Sequence, residues 1–232
     1  MELKKELNKE NPLLDIIESG LEHDVHKWVH YLPLYHRHFK RYRKRATAEN
    51  KVRVLEIGVW RGGSLDLWNQ YFGKDNCELY GLDIDPSCKR FEKDNVKILI
   101  GDQSDKIFLQ SIIDTTEPFD IIIDDGGHTM VQQINTFEVL YDHVKPGGVF
   151  LCEDLHTSYW SEYGGGNHGQ SFVDYSKRFI DKINAYHHKF SPVDSFTQSC
   201  YGIHYYDSMI FLEKSKTIIN QPRSIVWSAK TT

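Results

Sequence analysis

The sequence predicts an α/β fold with a seven-stranded, mostly parallel sheet that ends in an antiparallel hairpin. From residue 52 onward, short apolar runs alternate with helical patterns, which is typical of parallel strands joined by crossover helices. Two apolar runs within 197–214 lie too close together for a crossover helix, so we expect them to pair as a hairpin. We predict an N-terminal helical extension over residues 1–50 and one α/β domain over residues 51–232.

The predicted strands are short apolar runs that end at glycine or at acidic residues. Five of them should be parallel and buried, namely 52–58, 77–85, 96–102, 119–125 and 149–154. Between them we predict a helix with Ser64 as its N-cap, and helices over 103–116 and 129–143. The KPGG sequence at 145–148 predicts a turn, and 171–189 predicts another helix.

The N-terminal extension combines a helical pattern with a basic segment. Residues 21–46 place apolar side chains at helical steps of three and four, and Pro33 is expected to kink or divide this helix. Six Lys or Arg residues fall within 37–45. They indicate either a solvated helix face or contact with an acidic or phosphate-bearing substrate.

Composition excludes several classes of protein. The 232 residues are 40% hydrophobic and 26% charged, as in ordinary globular proteins. The net charge of -5 argues against a general affinity for nucleic acid or anionic membranes. The four cysteines form no CxxC pair, which argues against a structural zinc site. There is no signal-peptide pattern and no apolar stretch of roughly 20 residues, so we expect a cytoplasmic protein without membrane insertion.

A glycine-rich segment follows the first predicted strand, where an open α/β sheet binds its ligands. EIGVWRGGS (56–64) places Gly58, Gly62 and Gly63 before the next helix, so that a ligand could approach the backbone closely. The alternative is a purely structural turn. The spacing is GxxxGG, which differs from the GxGxxG of dinucleotide sites.

Acidic and polar residues follow the next two strands. Asp83, after the second strand, could accept hydrogen bonds from a ribose diol, or it could cap a turn. GDQSD (101–105), after the third strand, could bind an adenine edge, with a capping role for Asp102 or Ser104 as the alternative.

The fourth and fifth strands end in the residues that suggest chemistry. FDIIIDDGGH (119–128) supplies adjacent carboxylates and His128, and VFLCEDLHTSYW (149–160) supplies Asp154. Neighbouring strand ends would bring Asp125 and Asp154 together, and close carboxylates require a cation or a proton between them. Oxygen ligands favour Mg²⁺ or a similar hard ion. Turn or capping roles for the carboxylates, and a packed surface position for His128, are the alternatives.

These segments resemble class I S-adenosylmethionine-dependent methyltransferases, which have a Rossmann-like fold. The resemblance covers about residues 50–215 and rests on LEIG with Glu56, on Asp83 and on the terminal hairpin. IIDDGGH, EDLHTSYW and HKWVHYLPLYHRHF (26–39) are more specifically similar to metal-dependent sugar O-methyltransferases of the mycinamicin type.

The resemblance implies the cofactors and the roles of individual residues. S-adenosylmethionine would be the methyl donor, bound by Tyr35, Glu56, Gly58, Gly63, Ser64, Asp83, Asp102, Gln103 and Asp124. Asp125 and Asp154 would bind Mg²⁺ or a similar divalent cation, with Asp85 expected as a third acidic ligand. His128 would be the general base, with Asp125 also part of the catalytic site. Tyr159, Trp160 and the 161–169 loop could cover the acceptor, or could be an ordinary surface loop.

The expected activity is therefore metal-assisted O-methylation of a sugar hydroxyl on a small-molecule or carbohydrate acceptor, by a protein that could form a homo-oligomer. Three alternatives remain. They are a methyltransferase for a catechol-like acceptor, a nicotinamide-dependent oxidoreductase, and a non-catalytic module that keeps the cleft. The GxxxGG spacing and the predicted hairpin argue against the oxidoreductase.

Overall fold

A computed structural model describes residues 11–166, 169–189 and 192–225, and its centre is one sheet. The seven strands are arranged in the order β3-β2-β1-β4-β5-β7-β6. Their bounds are β1 Val52–Ile57, β2 Cys77–Asp83, β3 Val96–Ile100, β4 Phe119–Asp124, β5 Val144–Cys152, β6 Cys200–Tyr206 and β7 Met209–Lys214. Strands β1 to β5 are parallel, and β7 pairs antiparallel with both β5 and β6. The predicted fold class is confirmed, including the terminal hairpin.

Seven α-helices surround the sheet in the described residues. They are α1 Leu13–Ser19, α2 Leu32–Arg45, α3 Gly63–Phe72, α4 Lys106–Thr115, α5 Met130–Leu140, α6 Phe172–Ile183 and α7 Ser195–Ser199. Short 3-10 turns connect them, among them Pro86–Phe91 after β2 and Leu155–Tyr159 after β5.

Each face of the sheet has its own apolar core. On one face, Leu13, Phe39 and Trp68 from α1 to α3 pack with β-strand residues. On the other face, Phe137 and Phe179 from α5 and α6 pack against the opposite side of the same strands. Burial on both faces explains why the central strands are almost continuously apolar. The helices before residue 50 share the first of these cores, although the domain boundary at residue 50 remains a prediction.

The long helix predicted over 21–46 is wrong in its first part. Residues 21–28 form no helix, and α2 begins at Leu32 after a short 3-10 turn at Val29–Tyr31. Pro33 lies in the first turn of α2, where its missing N–H costs nothing, so it starts the helix and does not kink it. Tertiary contacts hold 21–28, which we call the N-terminal strap, against the end of the sheet.

Two local expectations also need correction. Ser64 is not the N-cap of α3, because Gly62 takes that position with a φ of 82° and Ser64 lies inside the first turn. The KPGG sequence at 145–148 belongs to β5, which begins at Val144. The pairing register between β4 and β5 shifts there, and Gly147 has a φ of 74°, so the chain bulges without leaving the sheet.

None of the helices in the described part of the chain has both the length and the apolar character needed to cross a membrane. The predicted ranges 1–50 and 51–232 include residues 1–10 and 226–232, and the predicted 161–169 loop includes residues 167 and 168. These residues lie outside the described parts of the chain.

Gly58→Ala should destabilise the protein much more than Gly20→Ala. Both glycines have positive φ, at 94° and 100°, so alanine costs backbone strain of about 1–3 kcal/mol at either site. A Cβ at Gly58 would also lie 2.0 Å from the carbonyl oxygen of Asp125, whereas a Cβ at Gly20 meets nothing within 4 Å. We expect Gly58→Ala to lose about 2 kcal/mol more in urea unfolding. Equal losses for the two variants would contradict the close approach.

Candidate functional site

The candidate site lies where the strand order reverses. Strands β1 and β4 are neighbours at the centre of the sheet. The strands that follow β1 in the chain, β2 and β3, lie on one side of this pair, and those that follow β4 lie on the other. A cavity of about 430 Å³ opens beyond the carboxyl ends of these strands. That volume and position are typical of a small-molecule site in an open α/β sheet.

Two glycines after β1 allow segments of the protein itself to pack closely. Gly58 lets the loop after β4 approach, as described above. At Gly63, a Cβ would lie 2.2 Å from the carbonyl oxygen of Asp24 in the N-terminal strap. Both residues line the cavity, but their lack of a side chain is required by backbone contacts of the protein, whether or not a ligand also uses them.

The acids after β2 and β3 organise backbone at the cavity wall. Asp83 Oδ2 accepts hydrogen bonds from the N–H groups of Val59 and Trp60, each at 2.9 Å. Asp102 accepts from the N–H and the hydroxyl of Ser104, at 2.7 and 2.8 Å. Both acids line the cavity, so the turn-forming roles and the ligand-binding roles of these residues are compatible.

Gln103 connects the end of β3 to the end of β4. Its Nε2 donates to Asp124 Oδ1 at 2.5 Å and to the hydroxyl of Thr136 at 3.0 Å. Its Oε1 accepts from the N–H of Gly127 at 3.1 Å. Burial raises the pKa of Asp124 to about 7, although the Gln103 hydrogen bond opposes this shift. Gln103 therefore orients the Asp124 carboxyl, which burial has removed from solvent.

Asp125, His128 and Asp154 converge beside the cavity, as predicted. One potential ligand atom from each lies within 4.8 Å of the others. His128 Nε2 is 3.5 Å from Asp154 Oδ2, and Tyr31 donates its hydroxyl proton to Asp154 Oδ1 at 2.7 Å. Within the described residues, the Nδ1 atom of His128 is buried and has no hydrogen-bond partner.

Lys27 lies at the centre of the carboxylate cluster. Its ammonium is 2.6 Å from Asp125 Oδ2 and 3.2 Å from both Glu56 Oε1 and Glu153 Oε2. Only 3% of the Lys27 side chain is exposed. Sequence reasoning assigned no role to Lys27 or Glu153. The residues around Lys27 do not indicate a buried position, because a lysine in an amphipathic helix, which was predicted there, is normally solvated.

Burial sets the protonation tendencies of this cluster. Desolvation raises the pKa of Glu153 well above its ordinary value, and Lys27 opposes the shift. Desolvation also raises the pKa of Glu56, again against Lys27. The surrounding carboxylates hold the pKa of Lys27 well above its ordinary value despite its burial. The Lys27 ammonium is therefore charged at neutral pH. For Glu56 and Glu153, burial favours the protonated form.

Backbone strain is concentrated around the site. Four non-glycine residues have positive φ in the described chain, and three of them, Trp60, His128 and Asp154, line the cavity. The fourth is Ser208, in the turn between β6 and β7, whose carbonyl accepts from the N–H of Leu155. Such conformations cost about 1–3 kcal/mol each and tend to mark functional sites.

Several predicted residues lie elsewhere than expected. Asp85 does not belong to the ligand cluster with Asp125, because it follows β2 and its carboxylate caps a 3-10 turn through Ser87. Tyr35, Glu56 and Asp124 are buried beneath the cavity and do not line it. Tyr35 donates to Glu153 at 2.7 Å, and Glu56 accepts from the Trp68 indole at 3.0 Å.

Comparison with known proteins adds sequence and structural relatives. Residues 55–155 match the family described as a methyltransferase domain. The chain is 35% identical over 220 residues to demethylmacrocin O-methyltransferase of Streptomyces fradiae, covering 86% of this chain and 53% of that protein. It is 36% identical over 201 residues to mycinamicin VI 2''-O-methyltransferase of Micromonospora griseorubida, covering 80% and 48%.

A solved structure extends the similarity to three dimensions. The MycE methyltransferase of the mycinamycin biosynthetic pathway, in complex with Mg, S-adenosylhomocysteine and mycinamycin VI, superposes with a TM-score of 0.72 at 35% identity. The match covers 80% of this chain and 48% of that one. The chain thus spans about half the length of the curated relatives it matches.

Gln103→Leu should destabilise the protein by about 2–4 kcal/mol. The variant keeps the volume but leaves the buried Asp124 carboxyl and the Thr136 hydroxyl without this partner. Gln110→Leu is the matched control, because Gln110 lies exposed on α4 and its amide donates to Asp114 on the same helix. A change within about 0.5 kcal/mol is expected there. Urea unfolding of both variants measures the difference, and similar values would show that Gln103 does not support Asp124.

Proposed function

This chain belongs with the class I S-adenosylmethionine-dependent methyltransferases and is related to the macrolide sugar O-methyltransferases; on that premise we propose that it transfers a methyl group to a sugar hydroxyl with the help of a divalent cation. The observation that supports this most directly is the convergence of Asp125, His128 and Asp154 on one side of the cavity. An acid pair beside a histidine is the arrangement needed to hold a cation and to remove a proton from a neighbouring hydroxyl.

The methyl donor fits the part of the cavity nearest β1 to β3. Gly58 and Gly63 line the cavity there, and Asp83 and Asp102 provide carboxylates at the two strand ends that follow. The spare lone pairs of Asp83 can accept from a ribose diol while its backbone hydrogen bonds remain. Gln103 and Ser64 complete this wall.

The donor atoms at the other end of the cavity suit Mg²⁺ or a similar ion. Asp125 and Asp154 provide oxygen ligands, the type that hard cations prefer, and Glu153 replaces Asp85 as the candidate for the third acidic ligand because its carboxyl shares Lys27 with Asp125. When bound, the cation acts as a Lewis acid that lowers the pKa of a nearby hydroxyl, and S-adenosylmethionine supplies the electrophilic methyl group.

His128 is the residue placed to remove the hydroxyl proton. Its Nε2 faces the cluster at 3.5 Å from Asp154, and the left-handed backbone at His128, with a φ of 58°, holds the ring at the cavity wall. Tyr31 holds Asp154 from the other side, so that the carboxylate stays oriented toward the cavity. Proton removal at Nε2 would leave a charged imidazole beside Asp154, which stabilises it.

The acceptor side of the cavity has an aromatic rim. Trp28 lines the cavity and is 50% exposed, and its ring lies 6.3 Å from that of His156, which in turn contacts Trp160 at 4.6 Å. Such half-exposed rings offer an apolar face and polar edges, which suits a sugar ring and its apolar aglycone. Tyr159 is 71% exposed and packs less closely into this rim than Trp160 does.

Methyl transfer should occur with glycosides and should require the cation. Incubating the protein with methyl-labelled S-adenosylmethionine and a panel of deoxysugar glycosides, sugar-free aglycones and catechols separates the acceptor classes. We expect label only on glycosides, and its loss with a chelator followed by recovery on adding Mg²⁺. Labelling of catechols alone would show that the acceptor is a catechol-like compound and not a sugar. Activity that persists in the presence of the chelator would contradict the requirement for a cation.

His128→Ala should retain at most about one hundredth of wild-type turnover, because general-base catalysis typically contributes 10²–10⁴-fold. Binding of S-adenosylhomocysteine, measured by calorimetry, should stay within about threefold if the role is catalytic. His187→Ala is the control, since His187 is exposed on a 3-10 turn after α6 and does not line the cavity. Near wild-type turnover in His128→Ala would assign the proton transfer to another group.

A further inference from the structure

The N-terminal strap is fixed at several points to the end of the sheet that carries the site. Glu22 pairs with Lys93, and His23 Nδ1 lies 2.8 Å from Asp66 Oδ2. Asp24 pairs with Arg61 at 2.7 Å on the surface. These contacts hold the outer part of the strap, whereas Lys27 alone enters the carboxylate cluster from it.

The Lys27 ammonium joins three separate elements of the fold. Its three partners come from β1, from the loop after β4 and from the residue after β5, and these are Glu56, Asp125 and Glu153. An ammonium has three hydrogens, so each can be directed at one carboxylate. Its position 5.6 Å from the centre of the Tyr35 ring gives it a further favourable contact.

One lysine is insufficient to balance the acids around it. The cluster contains Glu56, Asp125, Glu153 and Asp154. Burial favours the protonated forms of Glu56 and Glu153, whereas a nearby cation favours the ionised forms. With all four ionised and Lys27 charged, the cluster would have a formal excess of three negative charges. A divalent cation would reduce the excess to about one. The negative charge of the cluster is therefore sufficient for Lys27 and a cation to be bound at the same time, without displacement of either.

The geometry at Asp125 also allows both. Lys27 contacts the Oδ2 atom of Asp125 and is itself buried, while 20% of the Asp125 side chain remains exposed at the cavity. One carboxylate oxygen can thus face the ammonium while the other faces a cation. Partners that orient a ligand in this way commonly contribute 10- to 100-fold to metal affinity.

We infer that Lys27 is a positioning residue for the cation site: it fixes the Asp125 and Glu153 carboxylates in the orientation that binds the divalent ion, and it ties the N-terminal strap to them. This inference rests on the proposed metal-assisted function. In this role Lys27 acts through the two carboxylates, whose oxygens its ammonium contacts.

Calorimetric titration of the apo-protein with Mg²⁺ tests the inference without an activity assay. Lys27→Met keeps the length and apolar stem of the side chain but removes the ammonium, and should weaken Mg²⁺ binding about 10- to 100-fold. Asp24→Asn is the matched control. It breaks the Arg61 pair of the strap without touching the cluster, so its Mg²⁺ affinity should stay within about threefold of wild type.

The outcomes separate this inference from the proposed function. Absence of Mg²⁺ binding to the wild type would overturn the cation requirement itself. Wild-type binding with equal or tighter binding to Lys27→Met would overturn only the role of Lys27, and so would an equal loss in Asp24→Asn.

S-adenosylhomocysteine binding serves as a check on the fold of each variant, and an equal loss of both ligands in Lys27→Met would also count against a specific positioning role. If that variant does not fold, Lys27→Arg provides the test, because it keeps the charge but cannot direct three hydrogens from one atom. It should weaken Mg²⁺ binding at least about fivefold, and unchanged affinity would refute the inference.

Discussion

The convergence of acidic side chains at the ends of β1, β4 and β5 is the constraint on which the rest of the structure depends. Parallel pairing aligns Glu56 of β1 with Ile123 of β4, and the β4 end with Cys152 of β5, so the residues that follow meet at one edge. Carboxylates gathered there repel one another and lose water. Lys27 relieves part of this cost. The proposed divalent cation would relieve much of the remainder.

The strained backbone and the terminal hairpin serve this site as well. His128 and Asp154 have left-handed conformations that direct their side chains toward each other, and such conformations persist only where neighbours hold them. The turn between β6 and β7 provides one such support. There, the Ser208 carbonyl accepts from the N–H of Leu155, and its hydroxyl accepts from the N–H of His156 at 3.1 Å. The antiparallel hairpin thus fixes the segment that follows Asp154.

The sequence predicted the sheet well and the N-terminal segment poorly, for a physical reason. Strands β1 to β5 are buried on both faces, so their apolar runs are local signals that survive without tertiary information. The strap over 21–28 has helical spacing, but its polar side-chain contacts with Asp66, Arg61 and Lys93 hold it in an irregular path. Ser64 and the KPGG sequence were misassigned in the same way, because Gly62 and the bulge beside Gly147 depend on neighbouring segments.

By itself, the sequence determined the α/β class, the terminal hairpin and the meeting of Asp125, His128 and Asp154, because parallel strands deliver the residues after their carboxyl ends to one edge. Only the tertiary structure decided which acids face the cavity and which are buried beneath it. It placed Asp85 on a local cap, Tyr35 under Glu153, and Lys27 among three carboxylates. The positions of Tyr35 and Lys27 depend on contacts between residues up to 126 apart in the chain, and no local pattern of residues encodes them.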